Sequence, residues 1–248
     1  MTNEWMNVAA YFDRIGYTGP TELTRETLRR LHVCHLETVP FENLDISRGR
    51  PIVMDSGAFV RKIVEERRGG FCYELNGAFA ALLSAIGFRV MLLSARVSRQ
   101  DGSESPEFDH LTLRVDLSEP WLADVGFGDC FREPLRLWHA EGDFRIVDEG
   151  SSLLLQRQQA AEGWKNEYRF TLQPRNLTDF EGMCKYHQTS PESHFKQHRI
   201  CSRATPTGRI TLSDLKLIIT ENGDRQEKAL SSEHEWHAAL AQYFGVVL

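Results

Sequence analysis

Arg68-Gly69-Gly70-Phe71-Cys72-Tyr73-Glu74-Leu75-Asn76 is the stretch on which the fold turns. A glycine pair closes one segment, and apolar residues then recur at helical spacing: Phe71, Leu75, Ala78, Phe79, Leu82, Leu83 and Ile86. Gly87 stands where a helix C′ residue is expected. The spacing predicts a helix with Cys72 at or just before its first turn. Unpaired backbone N–H groups and the positive end of the helix dipole favour a thiolate there. Free cysteine is also among the most buried residue types, so simple packing is the competing reading. The glycine pair and the helix start favour the nucleophile.

Upstream, the chain reads mainly as helices separated by turns. Thr24 is an N-cap for a helix carrying His32, Cys34 and His35, with Leu28 and Leu31 on its apolar side and Pro40 at its end. Residues 40–45 read as an ordered loop, and Ser56 as the cap of a helix through Phe59, Val60, Ile63 and Val64. From Phe88 the rhythm changes to strands: 89–97, 110–117 with Leu111, Leu113, Val115 and Leu117 on one face, and 121–125 after a Ser118-Glu119-Pro120 turn. Residues 99–108, rich in Ser, Glu and Asp, read as a mobile loop. Shorter strands are expected at 144–147, 153–157, 168–172, 209–212 and 216–220, and an amphipathic helix at 232–243. Helices followed by a run of antiparallel strands is an α+β pattern.

The chain of 248 residues is 41% hydrophobic and 26% charged, which suits a soluble globular protein with ample core. A net charge of −6 and a pI near 5.9 favour neither nucleic acid nor an anionic membrane surface. An anionic small ligand held by local Arg and Lys remains compatible. The N-terminus lacks signal-peptide order, and the most apolar stretch, 79–95, is broken by Ser84, Gly87 and Arg89. Cys34, Cys72, Cys130, Cys184 and Cys201 are odd in number without close pairs, as expected in a reducing cytoplasm. The sequence carries no signal for oligomeric state.

A cysteine nucleophile needs a base, and the base needs a group that fixes its tautomer. His110 opens the alternating strand on its polar face, with Thr112, Arg114 and Asp116. If the following hairpin centres on residue 118, Asp124 faces Thr112 and becomes a diagonal same-face neighbour of His110, about 7–8 Å away between backbones. A register centred one residue later breaks this placement. Asp109 is the rival orienter, but its side chain would point to the other face. Singly, His110 reads equally well as an exposed strand histidine, and Asp124 as the end of an apolar run before Gly126-Phe127-Gly128. Together with Cys72 they read as a Cys-His-Asp relay.

The sequence resembles the arylamine N-acetyltransferase family across essentially its whole length. The likeness rests on Val39-Pro40-Phe41-Glu42-Asn43-Leu44, the Cys72 stretch above, His110-Leu111-Thr112-Leu113 and Asp124-Val125-Gly126-Phe127-Gly128. Gln173-Pro174-Arg175 and Thr189-Ser190-Pro191-Glu192-Ser193-His194-Phe195 extend it. The resemblance implies an N-terminal helical bundle (1–87), a central antiparallel β-barrel (88–188) and a C-terminal α/β lid (189–248), around a cysteine-protease-like catalytic core. It implies Cys72 as acyl-accepting nucleophile, His110 as base and Asp124 as orienting carboxylate. It further implies acetyl-CoA as acyl donor without a metal, a small arylamine or arylhydrazine acceptor, and a role in xenobiotic metabolism. Phe41 and Phe127 resemble the aromatic wall of the acceptor pocket, and Gly126 to Gly128 a loop beside the cofactor. Backbone N–H groups near Thr112 could help to hold an oxyanion.

Cys184 and Lys185 depart from the family's usual run and put acceptor preference and CoA contacts in doubt. Cys184, His187, His194, His198 and Cys201 have ligand-like spacings, but a scatter of polar residues on a lid edge is the better reading. Two other functions stay open. One is an amide synthase of the same fold that closes a macrolactam on an aryl amine from a carrier-bound polyketide. The other is a non-catalytic binding module that retains the fold.

Overall fold

The structure, a computed structural model, describes residues 6–159 and 163–248. Short polar side chains start its first helices. Asn7 caps α1 (Val8–Ile15), and Thr24 caps α2 (Arg25–Thr38) by accepting the Thr27 N–H at 3.1 Å. Pro40 then stops the helix, but the following segment is more than a loop. Phe41–Glu42 forms a short strand, β1, and Leu44–Arg48 a one-turn helix, α3. Their partners lie far along the chain, so no local pattern reveals them. Asp55, not Ser56, caps α4 (Ser56–Val64), accepting the Ala58 N–H at 2.7 Å. In α5 (Cys72–Ala85) Cys72 is the first helical residue. Phe71 ahead of it cannot cap, and Glu74 Oε2 takes the Phe71 N–H instead, at 3.1 Å. Gly69 is required sterically, since a Cβ there would lie 1.9 Å from the Pro40 carbonyl oxygen.

The middle of the chain forms an eight-stranded antiparallel sheet, which curls into a nearly closed barrel. Its strands are β2 (Arg89–Val97), β3 (His110–Asp116), β4 (Pro120–Ala123), β5 (Leu135–Arg136), β6 (Ala140–Glu141), β7 (Phe144–Asp148), β8 (Leu153–Gln159) and β9 (Gly163–Phe170). Their spatial order is β5-β4-β3-β2-β9-β8-β7-β6. Leu113 pairs with Ala123 and Val115 with Trp121, so the β3–β4 hairpin is centred on residue 118. The strand β3 is buried on both faces, unlike the half-solvated strand that its alternation suggests. Leu111, Leu113 and Val115 pack on the helices, while His110 and Thr112 point to the barrel side beside Tyr168.

A 3₁₀ turn (Leu177–Phe180) leads into α6 (Glu181–Thr189), and Phe180 and Cys184 join the helical core. After α7 (His194–Gln197) come β10 (Ile200–Thr205), β11 (Gly208–Ser213), β12 (Lys216–Glu221), β13 (Asp224–Ala229) and α8 (Glu233–Phe244). These strands and β1 make a second antiparallel sheet in the order β1-β10-β11-β12-β13. Leu212, Leu217, Trp236 and Leu240 form its own core. Polar, fully exposed β13 leaves a charged outer edge, which discourages strand addition. Among the described residues no helix is long and apolar enough to cross a membrane.

Candidate active site

The helix start, the first residue of β3 and the end of β4 meet at one cleft. Cys72 and His110 both line it. His110 Nε2 lies 2.6 Å from Asp124 Oδ2, with both side chains buried. A carboxylate there takes the Nε2–H, which leaves Nδ1 unprotonated in the neutral ring. Burial opposes the charge of Asp124. The His110 ring, which attracts the carboxylate when it carries a proton, outweighs burial together with hydrogen bonds from His110, Asn76 and the Gly126 amide, and holds the carboxyl below its usual range.

The carboxylate is fixed by residues that sequence reasoning did not assign. Asp124 Oδ1 accepts from Asn76 Nδ2 at 2.8 Å and from the Gly126 N–H at 3.0 Å, and Oδ2 also accepts from the Tyr168 hydroxyl at 3.0 Å. Asn76 further donates to the Leu111 carbonyl at 2.6 Å and accepts the Val125 N–H at 2.9 Å. It lies one helical turn after Cys72, so a single amide ties the helix of Cys72 to the strand of His110 and to Asp124. His32 of α2 accepts the Asp124 backbone N–H at its Nε2, 3.0 Å away, while its Nδ1 donates to the Arg132 carbonyl at 2.8 Å. Burial pushes His32 down to about 4, which keeps it neutral for this role. Asn76 lay within the motif that carries the family likeness; nothing local marked His32 or Tyr168.

Burial first, then the negative charge of Asp109, pushes the Cys72 thiol well up, against a hydrogen bond from the Leu111 amide. Burial and the Asp109 charge thus oppose the favourable field that the helix start gives the thiolate. Gly126 packs directly on this residue: a Cβ there would sit 2.9 Å from both Cys72 Cα and Cys72 O.

The cleft encloses about 1310 Å³, room for more than one small molecule. Phe41, Gly126, Phe127 and Gly128 line it, as do Arg132, Arg157, Arg209 and Arg225. Thr112 does not reach it. That side chain is wholly buried, 3.3 Å from the Tyr168 hydroxyl and 3.4 Å from the Ala123 carbonyl, so it braces the site from behind. Arg209 donates to the Gly128 carbonyl at 2.6 Å, and Arg157 and Arg209 each lie 3.4 Å from the Asp129 carboxylate. Of the histidines and cysteines with ligand-like spacing, His194 and His198 have rings 4.8 Å apart and the others are dispersed. Cys184 and Cys201 sit in different cores, His187 faces Asp109, and His198 faces Asp214. Among the described residues no group of three or more such side chains could hold a metal ion.

Under the helix start lies a buried charge network. Lys62 Nζ is 2.8 Å from both Asp45 and Glu74, and Arg68 is 2.7 Å from Glu42 and 3.1 Å from Asp45. Three buried carboxylates thus face two buried cations, with half-exposed Arg50 a further 4.0 Å from Asp45. Glu74, pushed up to about 7 by burial, is the carboxylate that gives way. Burial acts to lower Lys62, but Glu74, Glu42 and Asp45 outweigh it and keep the amine charged.

A family model described as N-acetyltransferase matches residues 24–248. An Escherichia coli arylamine N-acetyltransferase is 34% identical over 246 residues, 95% of this chain and 87% of that protein. A Salmonella typhimurium protein named arylamine N-acetyltransferase / N-hydroxyarylamine O-acetyltransferase is 36% identical over 248 residues, 96% of this chain and 88% of that one. The solved structure of Mycobacterium marinum arylamine N-acetyltransferase in complex with CoA is similar at a TM-score of 0.89 and 31% identity, covering 97% of this chain and 93% of that one.

Proposed function

From the premise that this chain belongs to the arylamine N-acetyltransferase family, and is therefore an acyltransferase, we propose that it carries acetyl groups from acetyl-CoA on Cys72. The acceptors are the nitrogen of arylamines or arylhydrazines and the oxygen of arylhydroxylamines. The observation that carries this reading is the 2.6 Å link from His110 Nε2 to Asp124. It leaves Nδ1 as a base on the cleft wall that His110 shares with Cys72.

In the first half-reaction Nδ1 takes the thiol proton and the sulfur attacks the thioester carbonyl. The tetrahedral intermediate collapses, CoA leaves with the proton from His110, and Cys72 holds the acetyl group. In the second, the amine attacks the acetyl-cysteine, His110 accepts an amine proton, and the C–S bond breaks. The amide leaves, and the proton returns to Cys72. The N–H groups at the start of α5 are placed to support the oxyanion in both steps. The relay is of the cysteine-protease kind, turned on a thioester.

The arginines around Gly128 and Asp129 support the CoA reading, because guanidinium groups and open backbone suit a diphosphate. Five free cysteines support a reducing compartment, the cytoplasm. Initial rates measured against acetyl-CoA at several fixed arylamine concentrations test the mechanism. Parallel double-reciprocal lines are expected, and lines that intersect would refute the two-step route.

A further inference from the structure

A second imidazole–carboxylate pair stands in the same cleft and has no part in the transfer just described. His187 Nε2 lies 3.2 Å from Asp109 Oδ1, and its Nδ1 lies 3.2 Å from the Ser193 hydroxyl. The Ser193 contact is a hydrogen bond, whereas Nε2 meets Asp109 as a close polar contact without an aligned hydrogen bond. All three residues line the cleft. Asp109 differs from Asp124 in being reachable, with 18% of its side chain exposed against 0%.

The pair stands next to the reacting sulfur. The backbone carbonyl of Asp109 is 3.9 Å from Cys72 Sγ and accepts from the Tyr73 hydroxyl at 3.2 Å. The surroundings are aromatic, with the Phe195 ring 5.1 Å and the Phe71 ring 6.4 Å from the His187 ring. Phe41 lies against Phe195, 6.0 Å between ring centroids. Burial opposes ionisation of Asp109, but the His187 ring against it, with Ser105 and His110, outweighs burial and holds the carboxyl below its usual range. Arg157 and Arg209 stand at Asp129 and Gly128, where the CoA reading uses them, Arg132 and Arg225 pair with Glu37 and Glu227, and Arg99 lines the cleft but is solvent-exposed. A carboxylate with one oxygen held by an imidazole keeps lone pairs for a ligand donor and repels a ligand anion.

Building on the acetyl-transfer reading, we propose that Asp109, positioned by His187, selects among acceptors: it favours arylamines with a neutral hydrogen-bond-donor substituent and turns away anionic arylamines. 4-Aminobenzamide and 4-aminobenzoate are matched probes, alike in shape and different in charge. The ratio of kcat/KM, amide over acid, is expected to be about tenfold or more for the unaltered enzyme, the scale of a partly screened charge contact. Asp109→Asn and Asp109→Ser remove the charge with different packing, and each is expected to bring the ratio close to one. His187→Gln, whose amide can still donate to Asp109, keeps the preference, while His187→Leu removes the group that positions the carboxylate and lowers the ratio; a ratio unchanged in His187→Leu would overturn the positioning role. Acetylation of each protein by acetyl-CoA alone is followed by mass in parallel. If the unaltered protein takes no acetyl group, the transferase reading fails and this inference falls with it. If it is acetylated but shows a ratio near one, or both Asp109 variants keep the original ratio, only the role of Asp109 is overturned.

Discussion

Replacing Asp124 with Asn separates the chemistry from the fold. Asp124 accepts four hydrogen bonds: from Asn76 and Gly126 on Oδ1, and from His110 and Tyr168 on Oδ2. An Asn that keeps its carbonyl oxygen at the Oδ1 position retains the first two and aims its NH₂ group at His110 Nε2. The ring must then carry its proton on Nδ1, where a base is needed for Cys72. The Tyr168 hydroxyl can rotate to accept, so the native state loses only about 1–3 kcal/mol. The acylation step loses far more. The wrong tautomer in a comparable relay costs about 10⁴-fold, or ~5.4 kcal/mol of barrier. Single-turnover release of CoA after mixing with acetyl-CoA measures the loss, and thermal unfolding verifies the fold. Residual acylation should climb with pH, because the thiol must then ionise without His110, against burial and the charge of Asp109. A folded Asp124→Asn protein that acylates within about tenfold of the parent would refute the relay.

Gly126→Ala places a methyl 2.9 Å from Cys72 Cα and O and 2.7 Å from Asn76 Nδ2, so backbone has to move. Acylation should fall about 10²-fold for a shift of that kind, with ~1–3 kcal/mol of stability lost, as read by single turnover and urea unfolding; a fully active variant would contradict the close packing. Glu74 gives the pH dependence. Its folded value of about 7 lies above the ordinary 4.5, so the native state holds the extra proton between the two. The stability it contributes is complete below about 4.5 and is lost as pH rises through about 7, roughly 3 kcal/mol in all. Glu74→Gln, which can still accept the Phe71 N–H, should unfold in urea with a flatter dependence between about pH 5 and 7.5. Identical slopes in the two proteins would remove Glu74 as the titrating group.

The parts of this protein that could be read from sequence are those set by neighbours in the chain. The helix from Cys72 follows from Gly69, Gly70 and its apolar spacing, and the hairpin from its turn, but two registers stayed open until the pairing of Leu113 with Ala123 placed the centre at residue 118. Strand β1 was missed because Phe41 and Glu42 pair with Ser202 and Cys201, far along the chain. β13 was missed because a solvent-facing edge needs no apolar alternation. Taken singly, His110 read equally well as a solvated strand residue, because alternation reports two faces without saying what covers each one. The supports of Asp124 come from three places, α2, α5 and β9, and no window of sequence contains them together. The pair of Asp109 and His187 is hidden for the same reason.

The acetyl-enzyme itself is the most direct test. The protein mixed with acetyl-CoA and no acceptor, then analysed by intact mass and peptide mapping, should gain one acetyl group on Cys72. Adding an arylamine should remove it and yield the N-acetyl product, while Cys72→Ala should stay unmodified. No adduct on the parent protein, or an equal adduct on Cys72→Ala, would contradict the account.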